Sequence, residues 1–127
     1  MSNHPAPAWQ KWLGLALTVL PVLMLIMSAV MKFVGGAQLA EGFAHLGWPM
    51  PLASTLGVIE IACTILYAIP RTSVLGAILL SAYLGGATAT HVRVGDPWFA
   101  TVILGIAIWG GLYFRDGRVR ALIPLRA

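Results

Sequence analysis

Four ionisable side chains stand where acid–base or charge-stabilising chemistry could be done inside an otherwise apolar chain: Lys32, Glu60, His91 and Arg93. Glu60 is the most informative, because it alone interrupts the uncharged run from Pro51 to Ile69. It lies nine residues past Pro51, which a helical rise of about 1.5 Å per residue converts to about 13 Å, close to mid-bilayer. An acidic group at that depth costs roughly 2.5–3.5 kcal/mol on insertion scales, so it marks a functional site by default. Gly57, Glu60, Thr64 and Tyr67 recur at helical spacing and form one stripe turned towards a helical interior. The carboxyl there is either neutral, cross-linking helices by hydrogen bonds, or paired with a cation.

Lys32 is the candidate cation. Thr18, Pro21, Ser28 and Lys32 align on one face of the first apolar stretch, with Pro21 expected to kink it. Lys32 falls at the end of that stretch, where it either snorkels to water or reaches along the axis to Glu60. His91 and Arg93 close the third stretch at the same face; Leu84 and Thr88 precede His91 on its side, and Tyr83 and Thr90 share a neighbouring one. His91 reads as a hydrogen-bonded structural residue or as a proton carrier, and Arg93 as an anchor for lipid headgroups or for Asp96. Together Lys32, Glu60, His91 and Arg93 outline a polar cavity, with Ser28, Thr64, Tyr67, Tyr83 and Thr88 as secondary lining. Such a vestibule suits a proton relay or the head group of an anion or a quinone, since ionisable groups stabilise charge formed in proton-coupled redox steps. One His and one Glu fall short of a metal-ligand set, so no metal is expected. Cys63 is the only cysteine, which excludes an intrachain disulfide or CxxC pair. Any redox chemistry must borrow its electrons from outside the chain, and no catalytic residue is assigned.

The elements that carry these groups follow from composition. Of 127 residues, 59% are hydrophobic and 9% charged, against roughly 45–50% and about 25% in soluble domains. Four acidic and eight basic side chains cannot cover the large surface of so small a soluble protein. That excludes an ordinary soluble enzyme, a disordered tail and a disulfide scaffold, and predicts an integral membrane protein of one domain, residues 1–127. The net charge of +4 does not point to nucleic acid, because the basic residues are thinly spread beside apolar segments, where they report orientation.

Four apolar stretches, at about 12–34, 51–69, 73–92 and 98–114, are each near the ~20 residues that cross a bilayer. In lipid each must satisfy its own backbone, so each is helical. Pro70-Arg71-Thr72-Ser73 and Arg93-Val94-Gly95-Asp96-Pro97 are short connections that force antiparallel neighbours, an all-α up-down four-helix bundle. The first stretch is too long for a signal-peptide core and lacks a small-residue cleavage site, so it reads as a retained helix. Lys11, Arg71, Arg115, Arg118, Arg120 and Arg126 fall on the side of the termini, and only Lys32 and Arg93 on the other; the termini are therefore expected in the cytoplasm. Trp9, Trp12, Trp48, Trp98 and Tyr113 fall near span ends, as interfacial aromatics do.

Between spans one and two, Gly36–Leu46 is too short to cross. Leu39, Phe43 and Leu46 share one helical face and Gln38, Glu41 and His45 the other, which predicts a short interfacial helix, either a plain connector or a lid over a cavity. In the third span Ala77, Ser81, Gly85 and Ala89 recur every fourth residue, a small-residue strip for close helix approach within the chain or against a second copy.

The ordered features resemble the DoxX-like family of small four-helix bacterial membrane proteins. The resemblance rests on Ser28-Ala29-Val30-Met31-Lys32-Phe33, Phe43-Ala44-His45-Leu46-Gly47-Trp48-Pro49, Leu56-Gly57-Val58-Ile59-Glu60 and Pro70-Arg71-Thr72-Ser73-Val74-Leu75-Gly76-Ala77. It continues through Gly85-Gly86-Ala87-Thr88-Ala89-Thr90-His91-Val92-Arg93 and Trp109-Gly110-Gly111-Leu112-Tyr113-Phe114-Arg115-Asp116, covering nearly the whole chain after Trp12. The resemblance implies a bacterial inner-membrane location. The family takes its name from a subunit of a thiosulfate:quinone oxidoreductase, so an accessory role in a redox or quinone-linked assembly is implied, with Lys32, Glu60 and His91 matching recurring polar positions. No flavin, haem or thiol site accompanies them, so catalysis by the chain alone is not expected. The alternatives are a small oligomeric proton-coupled transporter or channel using Glu60, and an assembly factor that holds client helices.

Overall fold

A computed structural model describes residues 6–126, and the described residues are helical with no strand. Helix α1 spans Ala8–Val34, α2 Ala37–Leu46, α3 Leu52–Ala68, α4 Ser73–Arg93, α5 Phe99–Arg115 and α6 Gly117–Arg120, with a short 3-10 turn at Pro70–Thr72. The four long helices start and stop within a few residues of the expected stretches, and α2 is the short helix expected between the first two. The last element, α6, had no counterpart in the sequence reading.

Each long helix packs against two others, α1 against α3 and α5, and α4 against α3 and α5. Neighbours run antiparallel. Gly57 near the start of α3 meets Lys32 and Phe33 at the end of α1, and Gly14 near the start of α1 meets Phe114 and Arg115 at the end of α5. Thr88 late in α4 meets Thr101 early in α5.

The ladder of small residues that permits tight packing is not the one with the regular four-residue period. Gly76 of α4 lies so close to α3 that a Cβ there would stand 2.2 Å from the Tyr67 backbone nitrogen. No residue with a side chain fits that crossing. Ser73 Oγ then donates to the Tyr67 carbonyl at 2.8 Å and Thr72 Oγ1 to the Leu66 carbonyl at 2.7 Å, so the orphan carbonyls at the end of α3 are satisfied by the turn that follows. Pro21 cannot donate to the Leu17 carbonyl, and α5 packs against α1 at this level, with Gly111 closest. Ala77 is fully buried, whereas Ser81, Gly85 and Ala89 lie on the exposed side of α4.

The core is a column of Leu25, Cys63, Tyr67, Ala77, Leu80, Leu84, Ile108, Leu112 and Val119. Glu60 and Thr64 are buried with it, while Leu20, Met27, Ile78, Ile103 and Ile106 are exposed. Polar groups inside and large apolar side chains outside is the pattern of a chain solvated by lipid. Two helical stretches, Ala8–Val34 and Pro70–Arg93, are long and apolar enough to cross a membrane, and Leu52–Ala68 and Phe99–Arg115 are shorter apolar helices.

Candidate functional site

Glu60 is held by three helices. Its side chain is 1% exposed, and Lys32 Nζ lies 2.8 Å from its Oε2 in an ion pair. The same ammonium donates to Ser28 Oγ one turn earlier at 2.8 Å, and the Tyr83 hydroxyl of α4 donates to Glu60 Oε2 at 2.9 Å. The backbone carbonyl of Glu60 accepts a further bond from Thr64 Oγ1 at 2.7 Å. Of the two fates open to Lys32, the structure shows the inward one. Its route is opened by Gly57, where a Cβ would sit 3.3 Å from the Lys32 Cβ. Removing two charges from water is costly, and such a pair persists where extra hydrogen bonds support it; Ser28 takes a second ammonium hydrogen and Tyr83 donates a second bond to the same Oε2.

This network forms part of the wall of a cavity of about 360 Å³ lined by Lys32 of α1, Phe43 and Leu46 of α2, Trp48, Leu56 of α3, and Tyr83, Thr90 and His91 of α4. Its volume lies at the lower end of the range for small-molecule sites, and the mix of apolar lining with a few converging polar groups is what such sites share. His91 sits on this wall with Nδ1 2.7 Å from the Ala87 carbonyl. A carbonyl only accepts, so Nδ1 carries the hydrogen.

Helix α2 closes one side of the cavity. Gly35 and Gly36, at φ +73° and +104°, turn the chain between α1 and α2. Phe43 is the buried anchor of the helix. Two polar contacts tie it to the end of α4 and the turn that follows: Arg93 donates to the Leu46 carbonyl, and His45 Nε2 stands 2.9 Å from both carboxylate oxygens of Asp96.

The nine expected site residues therefore divide. Ser28, Lys32, Glu60 and Tyr83 form one network, and His91 lines the same cavity without bonding to it. Arg93 corrects the expectation: it engages the Leu46 carbonyl rather than Asp96, which His45 takes, and it is a fastener of α2 and not part of the lining. Thr64 turns back on its own helix. Tyr67 donates to the Ile108 carbonyl at 2.7 Å inside the core. Thr88 bonds Leu84 and Thr101 at 2.7 and 2.6 Å beside a separate groove of about 560 Å³ between α4 and α5. Phe43 and Leu46 line the cavity from the apolar face of α2, the face that a lid over a cavity requires, whereas Trp48, Leu56 and Thr90 join the lining without having been expected there.

At the opposite end the Arg115 guanidinium lies 5.5 Å from the Tyr67 ring centroid. There Asp116 caps α6, accepting from the Arg118 backbone, and the Arg118 side-chain hydrogen bonds hold its carboxyl below the usual carboxylate range.

Among known proteins, the model of the DoxX-like family matches residues 16–111. No curated protein and no solved structure matches the chain.

Proposed function

The chain belongs to the DoxX-like family, and from that premise we propose that it is an accessory subunit of a redox or quinone-linked membrane assembly, with the cavity beneath α2 as the seat of a quinone-type head group. It is a bacterial inner-membrane protein in this reading, crossing four times with α1, α3, α4 and α5, its termini in the cytoplasm and its electrons supplied by a partner protein. The observation that carries the reading is the cavity itself. Phe43, Leu46, Trp48 and Leu56 offer an apolar bed for a planar ring, while Lys32, Tyr83 and His91 offer polar contacts at its edge. The Lys32–Glu60–Tyr83 network keeps an ammonium at that edge, where an oxygen of the ring would find a charge-assisted donor.

The transporter reading is less favoured, because the core of Tyr67, Leu80, Ile108 and Leu112 is packed directly beyond Glu60 and fills the bundle on the side of the termini. Self-association would use Ser81, Gly85 and Ala89, since Ala77 is engaged inside.

The test is the quinone content of protein purified from native membranes in mild detergent, wild type beside Glu60→Gln. Near-stoichiometric quinone in the wild type, reduced at least tenfold in the variant, is the expected outcome. Absence of quinone from both samples would remove the reading.

A further inference from the structure

The hydrogen-bond accounts of the cavity wall are unequal in a way that selects a ligand. Each hydroxyl on the wall has already given its proton to the protein. Tyr83 donates to Glu60 Oε2, and Thr90 Oγ1 donates to the Gly86 carbonyl at 2.8 Å. Each is left with lone pairs only. His91 gives its Nδ1 hydrogen to the Ala87 carbonyl, so the neutral ring is left with an acceptor at Nε2. Lys32 has two of its three hydrogens on Ser28 and Glu60 and keeps one. The indole of Trp48 is a further donor, on a side chain 38% exposed. The polar wall of α4 is thus a row of acceptors, Tyr83, Thr90 and His91, faced by the single remaining hydrogen of Lys32.

We propose that this cavity takes an amphiphile whose head carries a hydroxyl donor on an aromatic ring, and that within the quinone-linked reading it is the reduced, quinol form that is held in preference to the quinone. A quinone ring brings acceptors only; it satisfies Lys32 and leaves the α4 acceptors without a partner. A quinol or an alkylphenol donates to that row, His91 Nε2 being the strongest acceptor in it, while its oxygen still accepts from Lys32. A site built around such a hydroxyl discriminates strongly against the analogue that lacks it, because its own polar groups are then stranded. The inference rests on the assignment of this cavity as a quinone-type site only for its choice of ring; the donor requirement follows from the wall.

The experiment measures binding of four probes to the purified full chain in detergent micelles: decylubiquinol under anaerobic reductant, decylubiquinone, a 4-alkylphenol and the matching 4-alkylanisole. The expected result is tenfold or tighter binding of each hydroxyl-bearing probe than of its partner. For the quinone pair that ratio corresponds to a rise of about 30 mV in the midpoint of the bound two-electron couple. His91→Phe should bring decylubiquinol down to the affinity of decylubiquinone, and Thr90→Val, a smaller change, should narrow the gap without affecting decylubiquinone. Equal binding of quinol and quinone, with equal binding of phenol and anisole, would overturn the donor requirement and leave the quinone site standing. Preference for the phenol over the anisole with neither quinone form bound would remove the quinone reading and keep the donor requirement. Binding of none of the four would overturn both.

Discussion

At the scale of single residues, the pair of Lys32 and Glu60 governs the interior. With side chains 14% and 1% exposed, neither group is well hydrated, so loss of one leaves the other stranded. Lys32→Met is expected to destabilise the chain by about 3–5 kcal/mol. Lys32→Met combined with Glu60→Gln should recover most of that loss, because a well-packed neutral substitute for a buried pair is close to neutral. Reversible unfolding in mixed micelles measures both, and a double variant as unstable as the single one would show that the pair contributes nothing specific. The position of Glu60 was legible in the sequence, since nothing else explains a carboxylate within an apolar helix. The pairing was legible only in part. Helical rise alone puts the two backbones about 10 Å apart in level, yet side chains lean towards the N-terminus of their own helix. On antiparallel α1 and α3 the two therefore lean towards each other, which the spacing of residues along one helix cannot express.

At the scale of elements, α2 is the piece most weakly held. Phe43 anchors it, and its remaining ties are the Arg93 contact and the His45–Asp96 pair, whose side chains are 57% and 32% exposed. An exposed pair contributes roughly 0.2–1 kcal/mol. Asp96→Asn should therefore raise amide hydrogen exchange across 37–46 by up to about 5-fold and leave exchange in α3 and α5 unchanged. No change within α2 would mean that Phe43 and the Arg93 contact hold it without the pair. The short C-terminal helix has a separate tie. Because the Asp116 carboxyl is held below its ordinary value by Arg118, its contribution is complete above the usual carboxylate range and is lost only as pH falls through the lower, folded value. The NMR shifts of 117–120 should stay constant between pH 7 and pH 5 and change below about 4; Asp116→Ala should abolish that step and cost α6 about 1 kcal/mol. Helices α1, α3, α4 and α5 were readable because length and apolarity alone define them. Helix α6 was not, since four residues show no period, and what fixes it is a cap and the burial of Val119 in the core. The small-residue strip is only partly an internal one for a related reason: a four-residue period finds one face of α4, of which Ala77 alone is buried, while the closest approach to α3 is made by Gly76 beside it.

At the scale of the whole molecule, the cations divide unevenly between the two ends. At the α2 end Lys32 is paired with Glu60 and Arg93 holds the Leu46 carbonyl; at the other end Arg118 pairs with Asp116, while Lys11, Arg71 and Arg126 stand exposed. The orientation proposed from this bias has a direct check: a cysteine at Gln38 should react with a membrane-impermeant maleimide on intact spheroplasts, and one at Ala121 only after permeabilisation. The native thiol at Cys63 is buried and should stay silent. The opposite pattern would invert the orientation and put the cavity at the cytoplasmic face.

The antiparallel placement of Lys32 and Glu60 also bears on biogenesis. Lys32 precedes Glu60 by 28 residues, and a chain is made from its N-terminus. In a membrane-inserted chain, the ammonium at the end of α1 is thus already in place when α3 brings its carboxylate towards the lipid. Entry of α3 is an encounter with a waiting counter-ion, and the hydroxyl of Tyr83 arrives afterwards with α4 to complete the seal. The pair that shapes the finished cavity is then also what admits the helix that carries the buried carboxylate.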